Sequence, residues 1–207
     1  MSYPLITLLH RAVILFVVSV SSAHAHHVMN YRMPATALEG LLSGLGHPVI
    51  GLDHLLFILG AGVLAGQLRR GIVLPLFFVV ASVLAVAARA GGAPWTLSEL
   101  WIAGSLVALG ALMLATRVPE RGLVAALFLV AGALHGYALA EGIVGAERTP
   151  LFAYFAGLAV IQSLIALTAW ASSAWFAAHR PQLPLQRLVG TGVGAAGLYF
   201  LGMIAFG

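Results

Sequence analysis

The stretch His47-Pro48-Val49-Ile50-Gly51-Leu52-Asp53-His54 sets two imidazoles and a carboxylate at the head of an apolar run that carries no charge from Leu55 to Gly66. An Asp in the middle of a membrane span costs about 2.5–3.5 kcal/mol on insertion scales, so its presence asks for a compensating use. On one straight helix His47 and His54 share a face but stand about 10 Å apart along the axis. Nitrogen ligands lie only about 2 Å from a metal ion, so rings that far apart do not meet on one ion. Pro48 removes a backbone donor and Gly51 relaxes the allowed dihedrals. The spacing therefore predicts a helix broken near His47–Gly51, or His47 on a lead-in turned back toward His54. Irregular backbone is tolerated in a bilayer where it lines a cavity or a site.

The chain around this motif is built for lipid. Of its 207 residues, 61% are hydrophobic and 8% charged, against about 25% charged in a soluble domain. The predicted fold class is all-α: a polytopic membrane helix bundle. The net charge of +4 comes from ten basic residues, all Arg, at the ends of apolar runs. That placement points to membrane topology and away from nucleic acid. There is no Cys, which excludes disulfides and thiolate metal sites and leaves nitrogen and oxygen ligands.

Residues 1–25 read as a cleavable signal peptide. His10 and Arg11 form a polar start, Ala12–Val20 a short apolar core, and Ala23-His24-Ala25 a small-x-small cleavage site. The core falls short of the ~20 residues of a spanning helix. Residues 26–46 form a periplasmic lead-in with a short helix from Ala35. Six spans follow, near Pro48–Gln67, Ile72–Ala88, Leu97–Ala115, Gly122–Ala140, Leu151–Phe176 and Leu188–Phe206. With the mature N-terminus outside, Arg69, Arg70, Arg117, Arg121, Arg180 and Arg187 fall on the inner side. Arg32, Arg89 and Arg148 fall outside, as the positive-inside rule requires. Both termini are then periplasmic and the membrane is the bacterial inner membrane. Small residues four apart (Gly62 and Gly66, Gly132 and Gly136, Gly190 and Gly194) predict close helix packing.

This topology brings His47, Asp53, His54, Glu99, His135 and Glu141 to the outer half of the bilayer from three different spans. Imidazole with carboxylate suits Ni(II), Co(II) or Zn(II). Asp53 is either a direct ligand or an acceptor that orients a ring N–H. Glu99 has a second use as a first-turn charge at a helix N-terminus, and Glu141 as a loop residue. His26 and His27, beside a new amine after cleavage, are weaker candidates for metal capture. Gln162, mid-way along the fifth span, either continues a polar path or makes an interhelical hydrogen bond.

The pattern His47-Pro48-x-x-Gly51-x-Asp53-His54-Leu55-Leu56, together with Leu134-His135-Gly136-Tyr137-Ala138 and Glu99, resembles the HupE/UreJ family over essentially the whole mature chain. The resemblance implies a nickel, or nickel/cobalt, permease associated with hydrogenase and urease maturation. It carries His47, Asp53, His54 and His135 over as metal-handling positions, and Glu99 with them. Two positions depart from many relatives. Ala138-Leu139-Ala140-Glu141 lacks a second His after His135, and Gln162-Ser163-Leu164-Ile165-Ala166 lacks a fifth-span His.

Other classes leave weaker traces. There is no His-Glu-x-x-His motif and no Gly-x-Ser-x-Gly elbow, so the reading is not an enzyme, although a metal-activated water remains an alternative. Carboxylates near the histidines disfavour haem. A non-transporting metal sensor or accessory protein fits the same residues. The implied partners are a divalent metal ion, membrane lipid and hydrogenase or urease maturation proteins.

Overall fold

The computed structural model describes residues 32–93, 98–117 and 119–206. The predicted signal peptide, His26 and His27 lie outside these residues. The described chain is all-helical: α1 (Ala37–Ile50), α2 (Leu52–Gly66), a 3₁₀ turn (Gly71–Val73), α3 (Leu74–Ala90), α4 (Ser98–Leu114), α5 (Arg121–Leu139), α6 (Arg148–His179) and α7 (Leu185–Phe206).

From Ala37 onward the lead-in is helical. Thr36 caps α1: its Oγ1 accepts from the Glu39 N–H, and the Glu39 carboxylate accepts from the Thr36 N–H at 3.0 Å. Such a reciprocal box satisfies two donors that a helix start leaves unpaired. The helix then runs past residue 46, where the sequence placed the border of the lead-in, and through Pro48 to Ile50. Gly51 takes an extended ψ of 100°, and α2 leaves at 77° to α1. The hydrogen-bond ladder survives the corner, because the Gly51 N–H donates to His47 O and its carbonyl accepts from the Leu55 N–H. A Cβ at Gly51 would stand 2.8 Å from the His54 ring, so the corner needs glycine for space.

Four helical stretches are long and apolar enough to cross a membrane: Gly71–Ala90, Arg121–Leu139, Arg148–His179 and Leu185–Phe206. The bent α1–α2 pair makes a fifth if it counts as one crossing. The predicted third span, Leu97–Ala115, is the 17-residue α4, about 25 Å of rise against a hydrocarbon core of about 30 Å. Length and apolarity thus support four to five crossings, not the full six. The perimeter is apolar, with Leu84, Val130, Phe152 and Leu198 all exposed, as a lipid-facing surface requires. Phe57, Phe78, Leu106, Leu109, Met113 and Phe128 fill the centre.

Glycines set how the helices approach. A Cβ on Gly132 would fall 2.4 Å from Phe78 O, and one on Gly136 2.1 Å from Ser82 O, so α5 lies backbone-to-backbone on α3. Gly40 and Gly44 do the same for α1 against α6, and Gly110 and Gly194 for α4 against α7. Gly62 and Gly66 meet α6 at Ala166 and Trp170. The predicted glycine pairs are therefore packing devices, and a fourth close contact, at Gly40 and Gly44, joins them.

We expect Gly136→Ala to destabilise the bundle by about 1–3 kcal/mol, since neither backbone can yield without shifting a helix. Gly104→Ala, a helix position with open space around it, should be neutral or gain up to about 1 kcal/mol. Thermal unfolding in detergent measures both; equal effects at the two sites would contradict the packing scheme.

Candidate metal centre

The corner at Gly51 does what the spacing demanded. His47, in the last turn of α1, and His54, in the first turn of α2, come to a ring-centroid separation of 6.2 Å. An ion held by one nitrogen of each ring at about 2 Å lies roughly 3 Å from each centroid. The observed separation is at the outer limit of that reach. His135, from α5, sits behind His54 with centroids 5.0 Å apart. Three imidazoles from three helices thus form a row, all three buried and His135 wholly so.

Each ring is tied to a partner. His47 Nδ1 is 2.9 Å from Tyr154 Oη, and Tyr154 Oη donates to Leu139 O at 2.5 Å. His54 Nδ1 is 2.8 Å from His135 Nδ1. His135 Nε2 is 2.9 Å from Ser105 Oγ, which donates to Ile102 O at 2.7 Å. Phe57 and Phe78 pack on His135, with centroids at 4.9 and 5.5 Å. In such dry surroundings an unmatched ring nitrogen is costly, and these contacts remove that cost.

Asp53 stands at the start of α2 with its side chain 23% exposed. Its Oδ1 accepts from the His54 N–H at 2.8 Å and lies 3.8 Å from His54 Nδ1, too far for a hydrogen bond to the ring. The carboxylate is partly exposed and stands beside the His54 ring. Glu99, in the first turn of α4, and Glu141, in the turn after α5, are exposed. Among the described residues no three His, Asp or Glu side chains converge closely enough to hold one ion.

Gln162 lies elsewhere. It is fully buried on α6, and its Nε2 donates to Ser82 Oγ on α3 at 3.1 Å. Its Oε1 is the one buried side-chain oxygen or nitrogen with no hydrogen-bond partner among the described residues.

Tyr154 and Ser105 escaped the reading of the sequence. Neither is ionised at neutral pH, and neither interrupts an apolar run strongly enough to stand out. A hydroxyl one helix away from a histidine motif has no local spacing that announces it.

At the opposite end of the bundle, Arg121 Nη2 donates to Arg70 O and Gln186 Nε2 to Met113 O. A cavity of about 420 Å³ opens there, lined by Gln67, Thr116, Arg117, Gln186 and Arg187 among others. Most of the arginines assigned to the inner side gather at this end, away from the histidines.

We expect Gln162→Leu combined with Ser82→Ala to leave stability within about 1 kcal/mol of the parent or to raise it, because it removes an unmatched acceptor along with its neighbour. Chemical denaturation in detergent checks this; a loss beyond about 2 kcal/mol would mean that Gln162 is fully satisfied.

No curated protein matches this sequence, and no solved structure matches it either. The model of the HupE / UreJ protein family matches residues 14–200, a stretch that contains every helix bearing the histidine row. The chain, a membrane protein with imidazoles gathered inside an apolar bundle, belongs to the HupE/UreJ family, which is associated with nickel and cobalt permeases.

Proposed function

We propose that this chain is a secondary permease that carries divalent nickel, with cobalt as second cargo, inward across the bacterial inner membrane to supply metalloenzyme maturation. The observation that carries the proposal is the row His47–His54–His135, drawn from three helices into the interior of a largely apolar bundle. Membership of the HupE/UreJ family supports it. Imidazole is a strong ligand for Ni(II) and Co(II), and the lack of thiolates disfavours Cu(I).

In this scheme α1 and α2 form one broken crossing, and α4 is a short third crossing among six. The signal peptide is removed after Ala25, and both mature termini face the periplasm. His26 and His27 then stand at the entrance. Glu99 and Glu141, exposed at helix ends, draw the cation toward the surface. Asp53, His47 and His54 strip part of its water, with His135 behind them. Gln162 offers a carbonyl oxygen deeper in the bundle. An inward-negative potential contributes about 4.6 kcal/mol per 100 mV for a divalent ion. The cargo is consumed by hydrogenase or urease maturation proteins. Among enzyme, sensor and permease, the permease best uses ligands held inside a span.

Uptake of radioactive nickel in a permease-deficient strain tests this. The intact gene should restore uptake, and His54→Ala should reduce it at least tenfold at equal membrane abundance. No uptake despite nickel bound to purified protein would leave a sensor or accessory role in its place.

A further inference from the structure

We propose that Tyr154 and the Ser105–His135 pair are positioning groups that hold His47 and His54 both in the Nδ1–H tautomer, so that each presents its Nε2 lone pair to the cation. The proposal deepens the reading of the histidine row as a nickel site and rests on it.

The proton count runs inward from two backbone carbonyls. A carbonyl oxygen only accepts, and a hydroxyl has one proton to give. Tyr154 Oη lies 2.5 Å from Leu139 O, so its proton points there. Its contact with His47 Nδ1, at 2.9 Å, is then one in which the ring donates. A neutral imidazole has one N–H, so the His47 lone pair is on Nε2.

The second relay has one more link. Ser105 Oγ lies 2.7 Å from Ile102 O and gives its proton there. His135 Nε2, at 2.9 Å from that oxygen, is the donor. The His135 lone pair is therefore on Nδ1, which faces His54 Nδ1 at 2.8 Å. Two like nitrogens at that distance need one proton between them, and it belongs to His54. Its lone pair, too, is on Nε2.

Two relays, Tyr154 on α6 with the last residue of α5 and Ser105 on α4 with His135 in the last two turns of α5, end on main-chain oxygens that return no proton. Neither reverses without breaking a buried hydrogen bond. His135, sealed behind His54 by Phe57 and Phe78, acts on the cation through His54. Outer hydrogen bonds of this kind fix ring orientation and raise ligand basicity, and their loss typically lowers metal affinity about 10–100-fold.

The test is NMR of metal-free protein with ¹⁵N-labelled histidine, assigned by single-histidine variants, together with equilibrium dialysis against nickel chloride alone. The expected result is a pyridine-type Nε2 for His47 and His54 and a pyridine-type Nδ1 for His135. Tyr154→Phe should release only His47 into a mixture of tautomers, Ser105→Ala should release His135 and His54, and Ser105→Thr should restore both. Each releasing variant should weaken nickel binding about tenfold or more. An Nε2–H tautomer at His47 or His54 in the wild type would overturn the proposal. So would nickel affinity unchanged in variants whose tautomers have moved, or nickel bound through the Nδ1 atoms of His54 and His135. Failure of the parent protein to bind nickel sinks the metal reading instead, and the tautomers of the metal-free rings still decide the relays.

Discussion

A polar group inside a lipid-facing bundle has no water to fall back on, and this single constraint organises the centre of the protein. Each buried imidazole is met by a specific neighbour: Tyr154 for His47, His135 for His54, Ser105 for His135. The hydroxyls pass the demand on to the carbonyls of Leu139 and Ile102. Removing one member leaves its partner exposed to a desolvation cost of about 1–3 kcal/mol. The histidines are thus not isolated ligands placed in a greasy core. They are the ends of chains whose other ends are the helices themselves.

The same economy explains the corner at Gly51. A bend of 77° between two consecutive apolar helices normally strands backbone donors and acceptors. Here Gly51 serves both helices, closing α1 with its N–H and opening α2 with its carbonyl. Glycine is also needed because the His54 ring occupies the space a Cβ would take. One residue therefore turns the chain, keeps the ladder and makes room for the ring that the turn brings in.

Some of this was legible in the residues and some was not. The wide gap between seven-apart rings on a straight helix, with Pro48 and Gly51 between them, was enough to demand a break. The placement of His135 near His54 followed from depth in the membrane. The Thr36-x-x-Glu39 box is a start signal written in the sequence, and it sets the first helical residue at Ala37 instead of the expected Ala35. Sequence position along a span says nothing about direction around a helix, and Glu99 and Glu141 are both exposed. Tyr154 and Ser105 were invisible because their role depends on a partner more than 25 residues away.

The contact of α5 on α3 at Gly132 and Gly136 has a mechanical consequence. Two main chains in direct touch have no rotamers between them, so the interface cannot absorb strain by repacking side chains. Sliding α5 by a single residue moves His135 by about 1.5 Å, more than half the 2.8 Å that joins it to His54. The imidazole pair is therefore a gauge of helix register. Whatever shifts α5 along α3 is read at once in the proton shared between two rings.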